Sequence, residues 1–457
     1  MAPPAPRAIL GGLLVTLVLA GCRVEPEEAP AAGSGSAAGL DGLTRSAAET
    51  TVRQVVGDVD PRTAEVQPTA ALPRQQLRAM AYTAGTFDPD AELEGVLLHD
   101  HERAWPGLNF FTSRDLPAAF LMDMDGRMVH RWRRRGGGWQ HAELLPDGQV
   151  IVLVRDQAIF QVDAASEIVW HTPLRAHHDH SRSSDGRIFV LTNRLEEIPE
   201  IHPRHKILAD YVTVLSAQGE VLEEIGLIPL LRRSPIAALL PYVADLDLTR
   251  EGEAPEDVEI DYLHANHIEI FDGSVPGELY RSGLALLSLR QINTIAIVDL
   301  ETAEVLWFWG PFNLVRQHHP TLLPDGNLLV FNNRLKTSQI VEVDPRTFDV
   351  EWTYEDGEFF SLLRGSNQRL SNGNTLITES DTGYVFEVTA EGDEVWRFAN
   401  LQVDDKGVRS AIWRMVRFAP EELPFVTGPD AGSRTPVEAD QGQGGEPRDE
   451  LAGSTSR

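Results

Sequence analysis

The sequence predicts an all-β protein, a six-bladed β-propeller, and three observations support this fold class. One unit occurs six times: an apolar strand, an acidic or glycine turn, and a second strand that usually ends in Trp. Successive copies begin 41, 52, 83, 45 and 45 residues apart, and a period near 45 with about four short strands is typical of a propeller blade. Tight-turn dipeptides precede most of the copies. The copies begin at Ala118, Ile159, Tyr211, Thr294, Gln339 and Tyr384.

The two ends of the chain are not expected to contribute to the propeller. Every aromatic residue lies between Tyr82 and Phe425, and aromatic side chains supply large buried areas in folded cores. We therefore assign residues 82–425 to the propeller, residues 22–81 to a flexible linker rich in Ala, Gly, Pro, Ser and Glu, and residues 426–457 to a disordered tail.

Residues 1–21 have the pattern of a secretory signal peptide. Arg7 precedes an apolar run, and the sequence Leu-Ala-Gly-Cys ends at Cys22, the single cysteine of the chain. This ending resembles a bacterial lipobox, which implies a lipid on Cys22 and an anchor on the periplasmic side of the cell envelope. The outer membrane is favoured, because Arg23 rather than Asp follows the cysteine. The alternative is a plain signal peptide, and one cysteine permits no intramolecular disulfide.

The charge of the chain argues against one class of partner. Asp and Glu together number 69 against 40 Lys and Arg, which gives a net charge of −29. Such a field repels nucleic acid, so we expect no nucleic-acid partner. The acidity is interpreted as a solvated surface, and an anionic substrate would require a local basic pocket.

Four copies have an upstream half, in which an apolar strand leads to an Asp-Gly or Asn-Gly pair. This pair predicts a tight hairpin because both turn positions tolerate positive φ angles. The first copy lacks an upstream half of its own. We expect the strand at residues 411–418 to close the ring by pairing with the first blade, which removes free sheet edges. The four upstream halves are 141–148, 178–186, 318–326 and 366–373.

An insertion separates the third and fourth copies. Apolar residues have helical spacing over residues 227–248, and residues 251–261 are acidic. A lid or packed excursion over one face and a surface insertion without function are both open interpretations.

Seven of the 14 histidines occur in three clusters, each at the start of the first strand of a predicted blade. In each cluster one histidine, His178, His264 or His318, precedes the acidic residue of the following turn by seven or eight residues. This near-equal distance predicts a ring of imidazoles at one height around the central funnel. The clustered histidines are His177, His178, His180, His264, His267, His318 and His319.

Three roles for this ring are open. The imidazoles can be hydrogen-bonded core residues, metal ligands or catalytic groups. Three histidines at a funnel mouth suit Zn, Cu or Fe, but Asp179 is the one carboxylate at ligand spacing. We therefore favour catalysis and expect neither a metal ion nor a cofactor.

Arg290 lies in the middle of the apolar to neutral segment 287–293, which we predict to be the next inner strand after His264. A buried arginine is costly unless it is paired, and this segment has no acidic residue. A bound sulfate or phosphate group would satisfy the planar guanidinium. A carboxylate on another blade is the alternative partner.

Four motifs resemble the bacterial aryl-sulfate sulfotransferase family. The resemblance covers the chain from Leu93 to about Phe418, including the opening segment 95–113. It implies a six-bladed propeller that transfers a sulfuryl group from a phenolic sulfate ester to a phenolic acceptor through a sulfohistidine, with ping-pong kinetics and no nucleotide donor. The motifs are HHD before an Asp-Gly pair, LHANH, SLR before TIAIVD, and QHHPTLLPDGNLLVFNNR.

The resemblance also implies roles for individual residues. By motif the nucleophile falls on His318, and His178, His264 and Arg290 support it. Because His319 stands where the family often has Asp, both His318 and His319 remain open as the nucleophile. We expect substrate contacts from His319, Asn266, His267 and Arg334, the last in an Asn-Asn-Arg ending that differs from the family.

Two other functions remain open. A related enzyme would hydrolyse a sulfate or another ester with the same ring. A non-catalytic propeller lipoprotein would bind a partner or ligand at the outer membrane, and its funnel histidines would be replaceable. A quinone-dependent dehydrogenase is disfavoured. Propellers of that class usually have eight blades and this chain has six copies of the unit, and the chain has no vicinal cysteine pair.

Overall fold

The computed structural model describes residues 85–427 except residues 115, 247 and 250–253. In this part of the chain 28 strands form six sheets of four or five strands and one two-stranded sheet. The six sheets are the blades of a β-propeller, so the predicted fold class is confirmed. The predicted signal peptide, linker and nearly all of the tail lie outside the described residues.

In the first three blades the strands follow one another from the propeller axis outward. Blade 1 contains β28 (Ile412–Phe418), β3 (Leu108–Ser113), β4 (Ala118–Met122) and β5 (Met128–Arg133). Blade 2 contains β6 (His141–Leu144), β7 (Val150–Val154), β8 (Ala158–Val162) and β9 (Ile168–Pro173). Blade 3 contains β10 (Ala176–Arg182), β11 (Ile188–Glu196), β12 (Lys206–Leu215) and β13 (Val221–Gly226), and β14 (Glu259–Asp261) pairs with β12.

The other three blades repeat this order. Blade 4 contains β15 (Ala265–Ile270), β16 (Ala285–Leu289), β17 (Thr294–Asp299) and β18 (Glu304–Trp309). Blade 5 contains β19 (His318–Leu322), β20 (Leu328–Asn332), β21 (Gln339–Val343) and β22 (Val350–Tyr354). Blade 6 contains β23 (Ser366–Arg369), β24 (Thr375–Glu379), β25 (Tyr384–Val388) and β26 (Glu394–Ala399), with β2 (Gly95–His99) as a fifth, outer strand. The two-stranded sheet pairs β1 (Gly85–Phe87) with β27 (Val408–Ser410).

The six sequence copies are the third and fourth strands of the six blades, counted from the axis, and in blade 6 the added strand β2 lies outside them. The second strand of most blades is buried along its whole length, for example in β7, β16 and β20. Neighbouring blades cover both faces of such a strand, which explains its continuous apolar run. The outermost strand has one face in solvent, and β9 accordingly alternates between exposed and partly buried residues.

The ring closes between the two ends of the described chain. β28 pairs antiparallel with β3 from Ile412 opposite Ser113 to Phe418 opposite Leu108. This confirms the predicted closing strand. The first copy was expected to have no upstream strand of its own. The structure corrects this, because β3 precedes β4 and pairs with it. The sequence did not indicate that β3 is a blade strand, because its inner neighbour β28 comes from the other end of the chain and no Asp-Gly turn joins the two.

The insertion after the third copy is a packed excursion. Helix α1 (Leu227–Arg232) is followed by a 3-10 turn at Pro235–Leu239. Leu227, Leu231 and Ile236 are fully buried in the cluster that also fills the space between blades 3 and 4. A short helix α2 (Pro424–Thr427) ends the described chain. Among the described residues, no helix combines the length and the apolar character that a membrane crossing requires.

Candidate active site

The first strand of every blade, or the residue just before it, reaches one cavity on the propeller axis. Because all six blades contribute to it, this cavity lies in the predicted funnel. Its lining is rich in histidine and arginine. The lining residues are His141, His178, Asn266, His318, His319, Arg364, Gly365, Trp413 and Arg414.

Three of these inner strands are irregular at their histidines. The pairing register shifts in β10, β15 and β19, and His178, His264 and His319 have φ angles of +57°, +51° and +45°. Such angles are uncommon for a residue with a bulky side chain. A bulge re-aims side chains, and it lets the consecutive residues His318 and His319 both line the cavity, which a regular strand would not allow.

The structure brings together the four residues predicted as catalytic, which we call the His318 cluster: His178, His264, Arg290 and His318. The rings of His178 and His264 meet edge to face, with centroids 4.9 Å apart. The charges of Arg290 and His264 reach His318 and contribute to lowering its pKa. His178 and His318 line the cavity, whereas His264 and Arg290 are not among its lining residues.

His318 is held as a single tautomer. Its Nδ1 lies 2.7 Å from Asn333 Oδ1 and 3.0 Å from the carbonyl oxygen of Arg316. Asn333 Nδ2 donates to the carbonyl oxygens of Ser361 and Arg364, both at 2.7 Å, so the amide oxygen must face the imidazole. Because both neighbours of Nδ1 are acceptors, Nδ1 carries the proton. The lone pair is then on Nε2, which is buried and has no hydrogen-bond partner among the described residues.

The same imidazole is held neutral. Burial and the nearby charge of Arg290 lower the pKa of His318 well below its ordinary value, against the opposing hydrogen bond to Asn333. A neutral imidazole with a free Nε2 is a nucleophile at pH 7 and below.

Arg290 is not in the middle of a strand, which corrects the sequence-based prediction. β16 ends at Leu289, and Arg290–Ile292 form a 3-10 turn. The cause is tertiary, since the backbone N–H of Arg290 donates to the carbonyl oxygen of His264 at 3.1 Å. The side chain is buried, and its Nε has no hydrogen-bond partner in the described part of the chain.

A second guanidinium lies near Arg290. Burial and the charge of Arg290 lower the pKa of Arg316. Within residues 85–427 as described, neither arginine is in a salt bridge with a carboxylate. Arg290 therefore supplies positive charge next to His318 in a chain of net charge −29, although neither arginine lines the cavity and the carboxylate of Asp261 also lies within electrostatic reach of Arg290.

Carboxylates orient the two supporting histidines. His264 Nδ1 is hydrogen-bonded to Asp261, the last residue of β14, and burial lowers the pKa of His264 while Asp261 opposes this shift. His178 Nδ1 lies 2.7 Å from His177 Nδ1, and His177 Nε2 lies 3.3 Å from Asp210. Burial and the charge of His264 lower the pKa of His178 well below its ordinary value. Both imidazoles are thus neutral and fixed in position.

A second buried group, the Asp179 cluster, consists of His141, Asp179, His267, His319 and Arg414. Asp179 lies 3.2 Å from His141 Nε2, 2.5 Å from His267 Nδ1 and 2.9 Å from Arg414 Nη2. Although burial acts to raise it, the charges of Arg414 and His267 hold the pKa of Asp179 well below its ordinary value. The His267 and His319 rings lie 4.8 Å apart. Asp179 is therefore the ion-pair centre of a cluster in which His141, His319 and Arg414 line the cavity.

Of the four residues predicted to bind substrate, two line the cavity, His267 lies in the Asp179 cluster without lining it, and Arg334 lies elsewhere. Asn266 and His319 line the cavity, and Asn266 Nδ2 donates to the carbonyl oxygen of Gln317 at 2.9 Å. Asn266 Oδ1 is buried without a hydrogen-bond partner among the described residues. Arg334 is not brought to the cavity, because its exposed side chain pairs with Glu355 at 2.6 Å.

Residues 141–401 match the family described as "Arylsulfotransferase (ASST)". The chain belongs to the arylsulfotransferase family. As a member of this family the protein is a sulfotransferase enzyme that acts on small molecules. All four residues of the His318 cluster lie within the matched range, whereas Arg414 lies beyond it.

The chain is also similar, at low identity, to several solved structures. Similar solved structures include a protein of unknown function from Bacteroides caccae, with 12% identity, a TM-score of 0.44, and 69% of this chain and 99% of that chain covered. Apo AztD from Citrobacter koseri has 8% identity and a TM-score of 0.39, with 68% and 98% covered. Virginiamycin B lyase from Staphylococcus aureus has 11% identity and a TM-score of 0.39, with 70% and 94% covered. No curated protein matches the chain.

Several residues of this arylsulfotransferase site were not predicted. Asp261 lies at the end of the insertion and Asp210 lies in β12, the third strand of blade 3. Their positions in the sequence relative to the histidine motifs gave no indication that they belong to the site. Arg414 could have been found by the argument used for Arg290, because it is a charged residue inside the apolar strand β28. Arg316 and Asn333 belong to the quoted motif segment or lie next to it, but their contacts depend on tertiary structure.

Proposed function

We propose that the protein transfers a sulfuryl group from an aryl sulfate to a phenolic acceptor through a sulfohistidine on His318. The observation that supports this most is the buried, unpartnered Nε2 of His318, whose lone pair is fixed by the hydrogen bonds of Nδ1. An aryl sulfate placed in the cavity would meet His318, which lines it, and the charge of Arg290 reaches that imidazole.

The reaction has two balanced halves. In the first, the Nε2 lone pair attacks sulfur, the bond from sulfur to the aryl oxygen breaks, and the phenolate leaves with the electron pair. The phenolate takes a proton from the imidazolium form of a supporting histidine, which the negative charge of the bound sulfate favours and which becomes neutral on giving up that proton. In the second, an acceptor phenol gives its proton to that histidine and its oxygen attacks sulfur. The N–S bond then breaks and returns the pair to Nε2. His178 and His264 are the proton carriers next to His318, and the kinetics are ping-pong.

The two arginines would stabilise the transferring group. By analogy with phosphoryl transfer, negative charge spreads over the equatorial oxygens in a loose transition state. Arg290 and Arg316 lie in a buried region where such charge is stabilised more strongly than in water. The free Oδ1 of Asn266 suits the hydroxyl of the acceptor.

His318 is a better nucleophile than His319 in this geometry. The backbone N–H of Asn367 points at His319 Nδ1 over 3.4 Å. An Nδ1 that accepts leaves the proton of a neutral imidazole on Nε2. His319 therefore presents a donor to the cavity, while His318 presents a lone pair.

The test is to mix the purified protein with an aryl sulfate and no acceptor, quench rapidly, and measure the intact mass. We expect a gain of one sulfuryl group that maps to His318 and is absent in His318→Ala. His319→Ala is the matched control, since it removes a neighbouring imidazole and should still form the adduct.

Each other result favours a different function. Release of phenol and sulfate without an adduct would favour the hydrolase. No adduct and no phenol across a panel of aryl sulfates, with the protein folded, would favour a binding propeller. An adduct that disappears in His319→Ala and persists in His318→Ala would exchange the roles of the two histidines.

We also propose that Cys22 carries a lipid that anchors the enzyme on the periplasmic side of the outer membrane. The support is the Leu-Ala-Gly-Cys ending of the apolar segment. In a bacterial host fed a labelled fatty acid, the protein should incorporate label and sediment with outer membranes. Cys22→Ser should lose both properties, and a labelled Cys22→Ser protein would contradict the proposal.

A further inference from the structure

Three metal-ligating side chains converge on the outside of the propeller, away from the funnel. They are His99, His101 and Asp125, and one ligand atom from each lies within 4.8 Å of the others. His99 Nδ1 lies 2.9 Å from Asp125 Oδ1, and the rings of His99 and His101 have centroids 3.8 Å apart. We call these three residues the rim triad.

The rim triad joins two different sheets. His99 ends β2, the outer strand of blade 6, and His101 follows in the next turn. Asp125 lies in the turn between β4 and β5 of blade 1. A metal ion at this point would therefore bridge the junction where the ring closes.

Contacts around the triad hold the two elements in place. Trp396 Nε1 donates to the carbonyl oxygen of Met124 at 2.9 Å. A Cβ atom on Gly126 would lie 3.2 Å from Val96 Cγ2, so this turn rests closely on β2. Asp100 uses its own carboxylate to bind Arg103 at 2.7 Å, which fixes the turn that carries His101. The ligand backbone is thus preorganised, and only exposed side chains need to move.

We propose that the rim triad binds a divalent transition-metal ion, with Zn²⁺ as the reference ion. Two imidazoles and one carboxylate are donors that Zn²⁺ accepts, at about 2.0–2.2 Å from the metal, and water supplies the fourth ligand. Ligand atoms around such an ion lie about 3.3 Å apart, so His101 and Asp125 need to rotate by a small amount. Both are exposed side chains, which can make this adjustment.

The funnel is a poorer site for a cation in spite of its many histidines. His318 lies next to Arg290, and the histidines of the Asp179 cluster lie next to Arg414. These fixed positive charges oppose a metal ion, and Asp179 is already engaged by His141, His267 and Arg414. At the rim triad the nearby cation is Arg127, which lies 3.3 Å from Asp125 Oδ2, is 76% exposed and can move into solvent. This proposal departs from the expectation that the protein binds no metal ion.

The consequence of binding is a more stable ring closure. A ligand that binds only the folded state raises the free energy of unfolding. The increase grows with the logarithm of the ratio of free ligand concentration to Kd. At a hundredfold excess of Zn²⁺ over Kd we expect a rise in Tm of about 5 °C. This inference is independent of the sulfotransferase mechanism, because none of the three residues touches the cavity.

The experiment titrates the full-length, metal-free protein with Zn²⁺ by calorimetry and follows thermal unfolding. We expect one equivalent of saturable binding and a raised Tm in the wild type. His101→Ala and Asp125→Asn should each lose the Tm rise and lower the affinity at least tenfold, while sulfotransferase turnover stays unchanged. His171→Ala is the matched control, since it removes an exposed histidine of blade 2.

Three results would overturn the proposal. The first is the absence of saturable binding to the wild type. The second is binding that survives unchanged in both His101→Ala and Asp125→Asn, which would place the ion at other histidines. The third is an equal loss in His171→Ala, which would indicate unspecific binding to surface imidazoles.

Discussion

At the scale of single residues, the site depends on which atom of an imidazole carries the proton. Asn333 decides this for His318, because its amide is fixed by two carbonyl oxygens and offers only its oxygen to Nδ1. Sequence identifies the histidine through its motif and its register. It does not identify the tautomer, which depends on Ser361 and Arg364 at the entrance to another blade.

Asn333→Ala tests this positioning role. Loss of one acceptor next to Nδ1 should slow sulfuryl transfer to His318 by about ten- to a hundredfold, since a hydrogen bond of about 1.4–2.7 kcal/mol is removed from the reacting imidazole. The measurements are the single-turnover rate of adduct formation and the KM, which should change little.

The control for this variant is Asn400→Ala, which removes another buried asparagine, whose Nδ2 donates to Ser113 Oγ in β3 and to the carbonyl oxygen of Ser410 in β27. It should lose stability without losing rate per folded molecule. Equal rates in the two variants would show that Asn333 is structural only.

At the scale of elements, the strands were predictable and their irregularities were not. Alternation of apolar residues and Asp-Gly turns located the outer hairpins, because these depend on local chemistry and on burial of one face. The positive φ angles of His178, His264 and His319, and the register shifts in or next to which they lie, were not visible in the sequence, since such backbone angles at histidine arise from the surrounding packing. The same applies to Arg290, where a hydrogen bond to His264 accompanies the end of β16 at Leu289, four residues before the end of the predicted strand at residues 287–293.

At the scale of the whole molecule, buried histidines and buried glutamates make the free energy of unfolding change with pH in opposite directions. Burial lowers the pKa of funnel histidines such as His141 and His319. The folded state then binds fewer protons than the unfolded state below about pH 6.5, so these groups destabilise the fold as the pH falls. Burial instead raises the pKa of Glu269 and of Glu379 to about 7. The stabilisation that these two protonated carboxyl groups give the folded state is fully present below the pKa that they have in the unfolded chain. It is lost as the pH rises through about 7.

Glu269→Gln isolates the second effect. The neutral side chain can still accept the bond from the backbone N–H of Leu322, and it needs no proton to stay uncharged. Relative to the wild type, the variant should gain about 2–3 kcal/mol in free energy of unfolding at pH 8 and almost nothing at pH 4.5.

Urea unfolding at these two pH values measures the difference, and Glu379→Gln is a parallel variant in another blade. A gain for Glu269→Gln that is the same at both pH values would contradict a raised pKa in the folded protein.

The ring closure also has a consequence for when the enzyme becomes active. β28, at residues 412–418, supplies the innermost strand of blade 1, and it carries Trp413 and Arg414 to the cavity. Blade 1 lacks its inner strand until this late segment has been synthesised, although its other three strands are among the first to emerge. The contacts that finish the site span about three hundred residues, and such distant pairing slows folding. A ribosome that stalls before residue 412 would therefore leave a chain with every histidine of the site and no completed catalytic chamber.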